Sequence, residues 1–589
     1  MLQLVPILGA TTPRHLVSSL PGYGPTPTKH WTGFVEVDPP TSTHFFYTLV
    51  ESAGSPSTDP LVWWMNGGPG ASSFAGLIGE NGPLLLNASG LLTPNPFAWN
   101  RHANVLYVEF GPGIGYSYCA NSTHAGPDAP CPQSSGACSP CFTSDDLLAA
   151  QNAKLLSILL SEIFPELASR PLYLAGESYA GVYIPTLARE LLRTSVGQLR
   201  GLWVTDPCTD NVAQAGWLDL GVSFAFQKGL IDLETRTALM SSECSSGTTK
   251  VGDRVRVLAT NACRRAWRLY DLGTAGIGNA VHPPEIPGVP LYIDPLSALG
   301  PSGGPDLAGY FNRPDVRAAL NATQSPNAAY HLELDNNGYP QYELQYAACN
   351  NAAAEGAPSM IDVYKEIMAL LAARSRDGGR VDRVALPSAV PASLLTTLPS
   401  RRPSPVPGLA LRGQSLGSVL PARSGESAPP FQILISSGDI DPVVDLHGTE
   451  QAVRAIGLPV APGEARRPWF YNASGVSAST LVTAPTAWGP SLHAQSAGAQ
   501  VGGFVTAFAT GVPSVGLSFF TFKNSGHMVP AYAPSKSLHV LSRLAIGGQS
   551  LAPPLPAGWD DSDSFYSRDG SSPGLFADWV GAAMAPPFL

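Results

Sequence analysis

A serine, an aspartate and a histidine each follow a short apolar run, and they occur in that order along the chain. Ser178 lies in a Gly-x-Ser-x-Ala turn, Asp441 in a Gly-Asp-Ile-Asp turn and His527 in a Gly-His turn. The preceding runs are 172–175, 431–435 and 517–522. A serine hydroxyl is a poor nucleophile unless a histidine base, oriented by a carboxylate, takes its proton. The order and placement therefore predict acyl transfer through a serine nucleophile.

The turn around Ser178 carries the most local information. An apolar strand pattern precedes it and a helical pattern follows it, which is the context of a nucleophile elbow. The positions two before and two after the nucleophile must be small because strand and helix backbones crowd there, and Gly176 and Ala180 meet that requirement. A purely structural turn is the alternative, and the strand–turn–helix context favours the elbow.

Eleven histidines occur, and His527 is the favoured base because it directly follows an apolar run and a glycine. His447 follows Asp441 too closely to come from a separate loop. His493 and His539 do not directly follow a strand pattern. For an arbitrary histidine, a surface or packing role is the better interpretation.

Alternating strand and helix patterns position these residues. Further apolar runs at 61–65 and 105–110 predict buried strands, and residues 145–164 and 184–191 show helical spacing of apolar side chains. Such alternation predicts an α/β fold with a parallel sheet and helices on its faces. No repeat of fixed period is visible, which argues against a solenoid or a propeller.

Composition excludes several classes of protein. The 589 residues carry 34 Lys plus Arg and 44 Asp plus Glu, a net charge of −10, so no basic surplus exists to bind nucleic acid. The hydrophobic share of 44% is enough for a substantial core. No uninterrupted apolar run reaches the ~18 residues of a spanning helix, so no membrane span is expected.

Four ordered motifs together resemble the serine carboxypeptidase family. They are Trp64-Met-Asn-Gly-Gly-Pro-Gly-Ala-Ser-Ser, Gly176-Glu-Ser-Tyr-Ala-Gly, Gly438-Asp-Ile-Asp and Gly526-His-Met-Val-Pro. The resemblance covers about 20–551. It implies an α/β-hydrolase fold, with a mostly parallel central sheet, helices on both faces and an inserted helical cap. It also implies a peptidase that removes C-terminal residues through an acyl-enzyme, without a metal or organic cofactor.

Site roles are carried over from the family by position. The resemblance implies Ser178 as nucleophile, His527 as base and Asp441 as the orienting acid, whereas composition alone does not choose between Asp441 and Asp439. It assigns the oxyanion hole to the backbone N–H groups of Gly68 and Tyr179, and a glycine run does let backbone donors approach closely. It assigns recognition of the substrate carboxylate to Asn66, Gly67, Glu80 and Glu177.

Glu80 and Glu177 lead to a pH prediction. Alone, Glu177 is a helix first-turn acid and Glu80 a solvated acid. If they meet in the pocket, two like charges do not both ionise cheaply, so one keeps its proton and donates a hydrogen bond to a substrate carboxylate. Peptide hydrolysis is then expected to be favoured at mildly acidic pH.

The sequence pattern also predicts how the chain is divided into a core, a cap and an insertion. We expect a discontinuous core over 20–205 and 345–589, an inserted cap over 206–344, and a flexible Pro-, Ser- and Arg-rich insertion over 375–430. The cysteine-rich loop 119–141 is expected to be extra material.

Two departures from the family affect expectations. Ala71 stands where the family usually has a cysteine, so Cys349 is expected to be free or paired elsewhere. The family's Gly-Asn-Gly strand end is replaced by a segment ending in Thr-Asp206-Pro-Cys208. The side-chain preference is therefore left open.

The cysteines and the N-glycosylation triplets indicate the cellular compartment. Eight cysteines favour disulfides over a zinc site, because one Cys-x-x-Cys lacks a second spaced pair. The four acceptor triplets begin at Asn87, Asn121, Asn321 and Asn472. We expect a secretory-pathway protein, secreted or vacuolar/lysosomal, that acts on peptide or protein C-termini. The alternatives are an acyltransferase of the same fold and a non-catalytic stabilising partner.

Overall fold

The structure is a computed structural model, and every structural statement concerns the part of the chain that it describes. That part comprises residues 14–119, 143–214, 217–246, 255–274, 306–327, 329–330, 332, 342–350, 353–376, 430–441, 443–472, 499–559 and 574–584. Nearly all of the predicted insertion 375–430 and of the cysteine-rich loop lies outside these residues.

Twelve of the described strands form one mixed sheet. Its order is β1-β2-β3-β7-β4-β10-β11-β15-β18-β17-β16, and β8 pairs with β3. The strands are β1 (His15–Leu20), β2 (Gly24–Asp38), β3 (Thr43–Val50), β4 (Leu61–Met65), β5 (Leu84–Leu86), β6 (Leu92–Pro94), β7 (Asn104–Glu109), β8 (Tyr118–Cys119), β9 (Thr143–Ser144), β10 (Pro171–Glu177), β11 (Gln198–Thr205), β12 (Ser245–Ser246), β13 (Val255–Arg256), β14 (Tyr342–Glu343), β15 (Phe431–Gly438), β16 (Arg467–Asn472), β17 (Ala499–Phe508) and β18 (Val515–Phe522).

The described helices connect these strands or pack beside them. They are α1 (Phe74–Gly79), α2 (Asp145–Ile158), α3 (Ala180–Thr194), α4 (Asn211–Gln214), α5 (Trp217–Gln227), α6 (Leu233–Leu239), α7 (Asn261–Thr274), α8 (Leu307–Asn312), α9 (Pro314–Ala319), α10 (Met360–Arg376), α11 (Leu446–Ala455), α12 (Val529–Tyr532), α13 (Pro534–Val540) and α14 (Gly574–Ala583). A π-helical turn, Leu159–Ile163, continues α2, and another, Leu541–Ile546, continues α13. Shorter 3-10 turns occur at Trp99–Arg101 and Pro165–Leu167. Across the described parts of the chain, no helix combines the length and the apolar character needed to cross a bilayer.

The centre of the sheet is parallel. Strands β7, β4, β10, β11, β15 and β18 pair in parallel, while β1–β3 and β16–β17 add antiparallel strands at the two edges. Strand β4 is buried on both faces: Trp63 lies in one apolar cluster and Trp64 in the other. Helices α2, α3 and α10 contribute to the first cluster, and α1, α8 and α12 to the second. The predicted α/β-hydrolase fold is confirmed.

A small separate cluster occurs in the segment predicted as the cap. Helices α5, α6 and α7 pack around Val222, Leu239 and Trp267, and a disulfide joins Cys244 to Cys263. Helices α8 and α9, which the sequence also assigned to the cap, instead pack with the sheet core. The domain boundaries stay a prediction.

Candidate active site

Ser178 occupies the sharp turn between β10 and α3. Its φ is +60°, a left-handed conformation that costs a non-glycine residue roughly 1–3 kcal/mol. The Ser178 N–H donates to the Thr205 carbonyl (3.0 Å), and the Cys208 N–H donates to the Ser178 carbonyl (3.0 Å). A Cβ at Gly176 would lie 2.2 Å from the Met65 carbonyl oxygen, which explains the small residue before the turn. These contacts hold the half-buried Ser178 at the end of its strand.

Asp441 and His527 contact each other directly. His527 Nδ1 lies 2.8 Å from Asp441 Oδ2, and Asp441 is completely buried. The backbone N–H groups of Val443 and Val444 donate to the same carboxylate (2.8 and 3.1 Å). Asp439 instead accepts a backbone N–H from the loop after β18 (2.6 Å). The structure therefore brings Asp441, rather than Asp439, to the imidazole.

All three predicted catalytic residues follow parallel strands near the centre of the same sheet. Ser178 follows β10, Asp441 follows β15 and His527 follows β18, and these strands lie in the order β10-β11-β15-β18. The carboxyl ends of parallel strands share one edge of a sheet, where ligand sites of open α/β folds are found. The structure therefore places these residues, far apart in sequence, at one edge.

The glycine loop after β4 packs against the nucleophile turn. A Cβ at Gly67 would lie 2.3 Å from the Tyr179 nitrogen and 2.7 Å from Ser178 Cβ, so only glycine permits this approach. Gly68 has φ of +103°. Neither the Gly68 N–H nor the Tyr179 N–H donates to a residue within the described ranges. These two donors are thus suited to a developing oxyanion.

Asn66 connects the two glutamates. Its Oδ1 accepts the Trp64 indole N–H (2.9 Å) and the Gly76 N–H (3.0 Å). Both partners are donors only, which fixes the amide orientation. Its Nδ2 therefore donates to Glu80 Oε1 (2.8 Å) and to Glu177 Oε1 (2.9 Å).

The two glutamates form a buried pair. Glu80 is 2% exposed and Glu177 is 3% exposed. Burial raises the pKa of Glu80 to about 7. Burial, followed by the charge of Glu80, holds the pKa of Glu177 well above its ordinary value. Two adjacent buried carboxyls do not both ionise cheaply, so the arrangement favours one shared proton.

Two further acids at this edge were missed by the sequence analysis. Asp145 accepts the hydroxyl groups of Tyr179 (3.0 Å) and Tyr342 (2.5 Å), and burial raises its pKa to about 6. Asp206 follows β11, and its carboxylate, Asp441 and His527 have polar atoms within 4.8 Å of one another. Its place at a strand end was the available signal, whereas Asp145 resembles any helix first-turn acid. Such groups also ligate metal ions, but the bond between His527 and Asp441 is the one expected of a base and its orienting acid.

A disulfide lies beside Ser178. Cys349 pairs with Cys208, whose backbone N–H bonds to Ser178. Of the two expectations for Cys349, free or paired elsewhere, the second holds. The cross-link ties the segment after β11 to the segment before α10.

A family model supplies the decisive comparison. The model described as "Serine carboxypeptidase" matches residues 21–369 and 415–547, well over half of the chain. The chain belongs to the serine carboxypeptidase family. The predicted resemblance is confirmed, and the matched ranges include all four motifs that carried it.

Curated relatives agree with this membership, and a solved structure shares the fold. The chain is 26% identical over 564 residues to serine carboxypeptidase-like 21 of Arabidopsis thaliana, covering 90% of this chain and 94% of that protein. It is 27% identical over 535 residues to the lysosomal protective protein of Mus musculus, covering 90% and 92%. Among structures, Kex1(delta)p, a prohormone-processing carboxypeptidase from Saccharomyces cerevisiae, matches with a TM-score of 0.54 at 16% identity, covering 88% and 91%. At that identity, the structural likeness shows the fold alone.

Proposed function

We propose that this protein is a serine-type carboxypeptidase that removes C-terminal residues from peptides and proteins, favoured at acidic pH. The observation that carries the proposal is the Asn66-bridged pair of Glu80 and Glu177 beside the nucleophile turn. A general acyl-transfer enzyme needs a nucleophile, a base and an oxyanion hole. Two buried glutamates with a shared proton are an additional feature, suited to binding a free carboxylate.

The triad performs the covalent chemistry. Ser178 Oγ attacks the carbonyl carbon of the last peptide bond while His527 takes its proton, and Asp441 holds the imidazole in position. The Gly68 and Tyr179 N–H groups stabilise the oxyanion, each by roughly 3–4 kcal/mol. The protonated His527 then gives its proton to the leaving amine. Water, activated by the same base, hydrolyses the acyl-enzyme and restores Ser178.

The glutamate pair selects the substrate end. When one proton is shared, the neutral carboxyl donates a hydrogen bond to the C-terminal carboxylate of the substrate. Burial raises the pKa of Glu80 to about 7, whereas burial and then the charge of Glu80 hold the pKa of Glu177 well above its ordinary value. Glu177 therefore keeps the shared proton after Glu80 has ionised and loses it at higher pH. Two negative charges then repel the substrate carboxylate. Activity on peptides is therefore expected to fall as the pH rises through the pKa of Glu177.

The proposed setting is the secretory pathway, with secreted or vacuolar/lysosomal destinations. The disulfides Cys208–Cys349 and Cys244–Cys263 support it, because disulfides persist in oxidising compartments. The proposed substrates are peptide and protein C-termini, and the scheme uses no metal or organic cofactor.

An end-group comparison tests the proposal. A peptide with a blocked N-terminus is offered at acidic pH with either a free or an amidated C-terminus, and released residues are followed by mass spectrometry. Stepwise loss from the free peptide alone is expected, and Ser178→Ala should reduce kcat by about 10⁵–10⁶-fold. Acyl transfer to an added alcohol without hydrolysis would indicate an acyltransferase. If the wild type acts on neither peptide, the result would indicate a non-catalytic stabilising partner.

A further inference from the structure

Asp206 is a completely buried acid whose two oxygens have different surroundings. It follows β11, one strand from the nucleophile turn. Its Oδ1 accepts the Ser437 hydroxyl (2.8 Å) and the Gly438 N–H (2.8 Å). Its Oδ2 is buried and receives no donor from the residues that the structure describes. A buried polar atom in this position calls for a partner.

The group that Asp206 meets is another carboxyl. Polar atoms of Asp206, Asp441 and His527 lie within 4.8 Å of one another. In the proposed mechanism Asp441 is the negatively charged partner of His527, and its carboxylate already accepts two backbone N–H groups and is bonded to His527 Nδ1. A second negative charge at Asp206 would then be buried against the first. A proton on Asp206 Oδ2 removes this repulsion and supplies the missing hydrogen bond.

The other charged groups around Asp206 also favour a proton on its carboxyl group. At the end of β10, Glu177 interacts with the charge of Asp206. After β15 lie Asp441 itself and Asp445, which caps α11 and interacts with Asp441. The cationic group from the loop after β18 is His527, when protonated. Burial, followed by the charge of Asp441, holds the pKa of Asp206 well above its ordinary value.

We propose that Asp206 is a positioning residue that carries a proton and donates it in a hydrogen bond to Asp441. This inference rests on the proposed catalytic role of Ser178, His527 and Asp441. His527 then lies near one negative charge, that of Asp441, rather than near two. An ionised Asp206 would favour the protonated imidazole, which does not act as a base, so the neutral acid keeps His527 available at acidic pH.

Labelling of Ser178 by an alkyl fluorophosphonate tests this without a peptide. The probe has no C-terminal carboxylate, so its rate is independent of the proposed exopeptidase specificity. The rate is measured against pH for the wild type and for Asp206→Asn, whose amide keeps a donor but does not titrate. The acidic inflection of the labelling rate against pH is expected to lie within about 0.3 pH unit of the wild-type inflection in Asp206→Asn. An inflection at least 1 pH unit below that of the wild type would show that Asp206 is charged in the wild type, and would overturn the proposal.

Removal of the donor gives a second readout. Asp206→Leu, of similar volume, is expected to slow labelling about 10- to 100-fold, the effect of losing a hydrogen bond to a charged group. Labelling of folded Asp206→Leu at the wild-type rate would contradict the proposal. A rate lowered by a chelator and restored by Zn²⁺ would show a bridging cation instead of a proton, and would also overturn it.

Infrared difference spectra keep the proposal testable if Asp206→Leu does not fold. At neutral pH, the wild-type minus Asp206→Asn spectrum should contain a protonated-carboxyl band. Glu177→Gln serves as the matched control, because it should remove a different protonated-carboxyl band, that of the glutamate pair. Absence of the band expected for Asp206 would overturn its proposed role. Absence of only the band expected for the glutamate pair would contradict the proposed function and leave the role of Asp206 intact.

Discussion

Two regions of this protein bury acids, and their surroundings differ. The first, which we call the edge acids, comprises Glu80, Glu177, Asp206 and Asp441, which are buried around Ser178 and His527. The second is Glu109, at the end of β7. Each edge acid interacts with the charge of another, and Glu80 and Asp441 also interact with His527. Glu109 instead faces hydroxyl groups: its Oε1 accepts the Ser72 hydroxyl (2.9 Å) and the Tyr330 hydroxyl (2.6 Å).

Burial alone does not separate the two regions. It raises the pKa of Glu80 to about 7 and that of Glu109 to about 8. The difference lies in what each acid contacts. Glu80 and Glu177 lie beside the half-buried Ser178, while Glu109 is enclosed, since a Cβ on Gly115 would be 2.3 Å from its Oε1. A raised pKa thus reports burial, and only contacts with a nucleophile and a base indicate catalysis.

Among variants of the buried acids, the largest effect is expected from Asp441→Asn. Loss of the orienting carboxylate leaves His527 in the wrong tautomer, and kcat/KM on a peptide should fall by about 10⁴-fold. Steady-state kinetics at acidic pH measures this. Glu109→Gln is the matched control and should remain near the wild-type value. Equal losses in both variants would remove the distinction between the two regions.

Glu109→Gln should instead change stability. The folded-state pKa of Glu109 is about 8, above the unfolded value of 4.5, so the folded state binds the extra proton. Its contribution is therefore fully present below about pH 4.5 and is lost as the pH rises to about 8, by roughly 1.4 kcal/mol per unit. Urea unfolding should show that the free energy of unfolding of Glu109→Gln, relative to wild type, rises by about 3 kcal/mol from pH 5 to 7.5. A constant difference would show that Glu109 does not titrate in this range.

A smaller, pH-dependent effect is expected from Glu177→Gln. The amide is a permanent donor, so binding of the substrate carboxylate should persist after the wild type has lost its shared proton. Above the pKa of Glu177, kcat/KM relative to its value at pH 5 should be about tenfold higher in the variant than in the wild type. Matching pH profiles would contradict the shared proton, and Glu109→Gln should reproduce the wild-type profile.

Sequence patterns located the buried centre of the sheet better than its edges. The run at 61–65 coincides with β4, and the runs before the predicted acid and base lie within β15 and β18. Parallel strands buried on both faces have continuous apolar sequences, which makes them visible. Strand β2 was missed because its first half is partly exposed and contains Pro25 and Pro27, which break the alternating pattern.

The sequence by itself determined the order of the motifs, the nucleophile turn and the family, because each depends on residues close together in the chain. Only the tertiary structure decided that Cys349 pairs with Cys208 and that Asp206 lies near Asp441. It also showed the contact between Asp441 and His527, which the family resemblance implied but which composition left open between Asp439 and Asp441. Each of these contacts joins segments far apart in sequence. Their distances follow from the lateral order of the strands, and local periodicity does not specify that order.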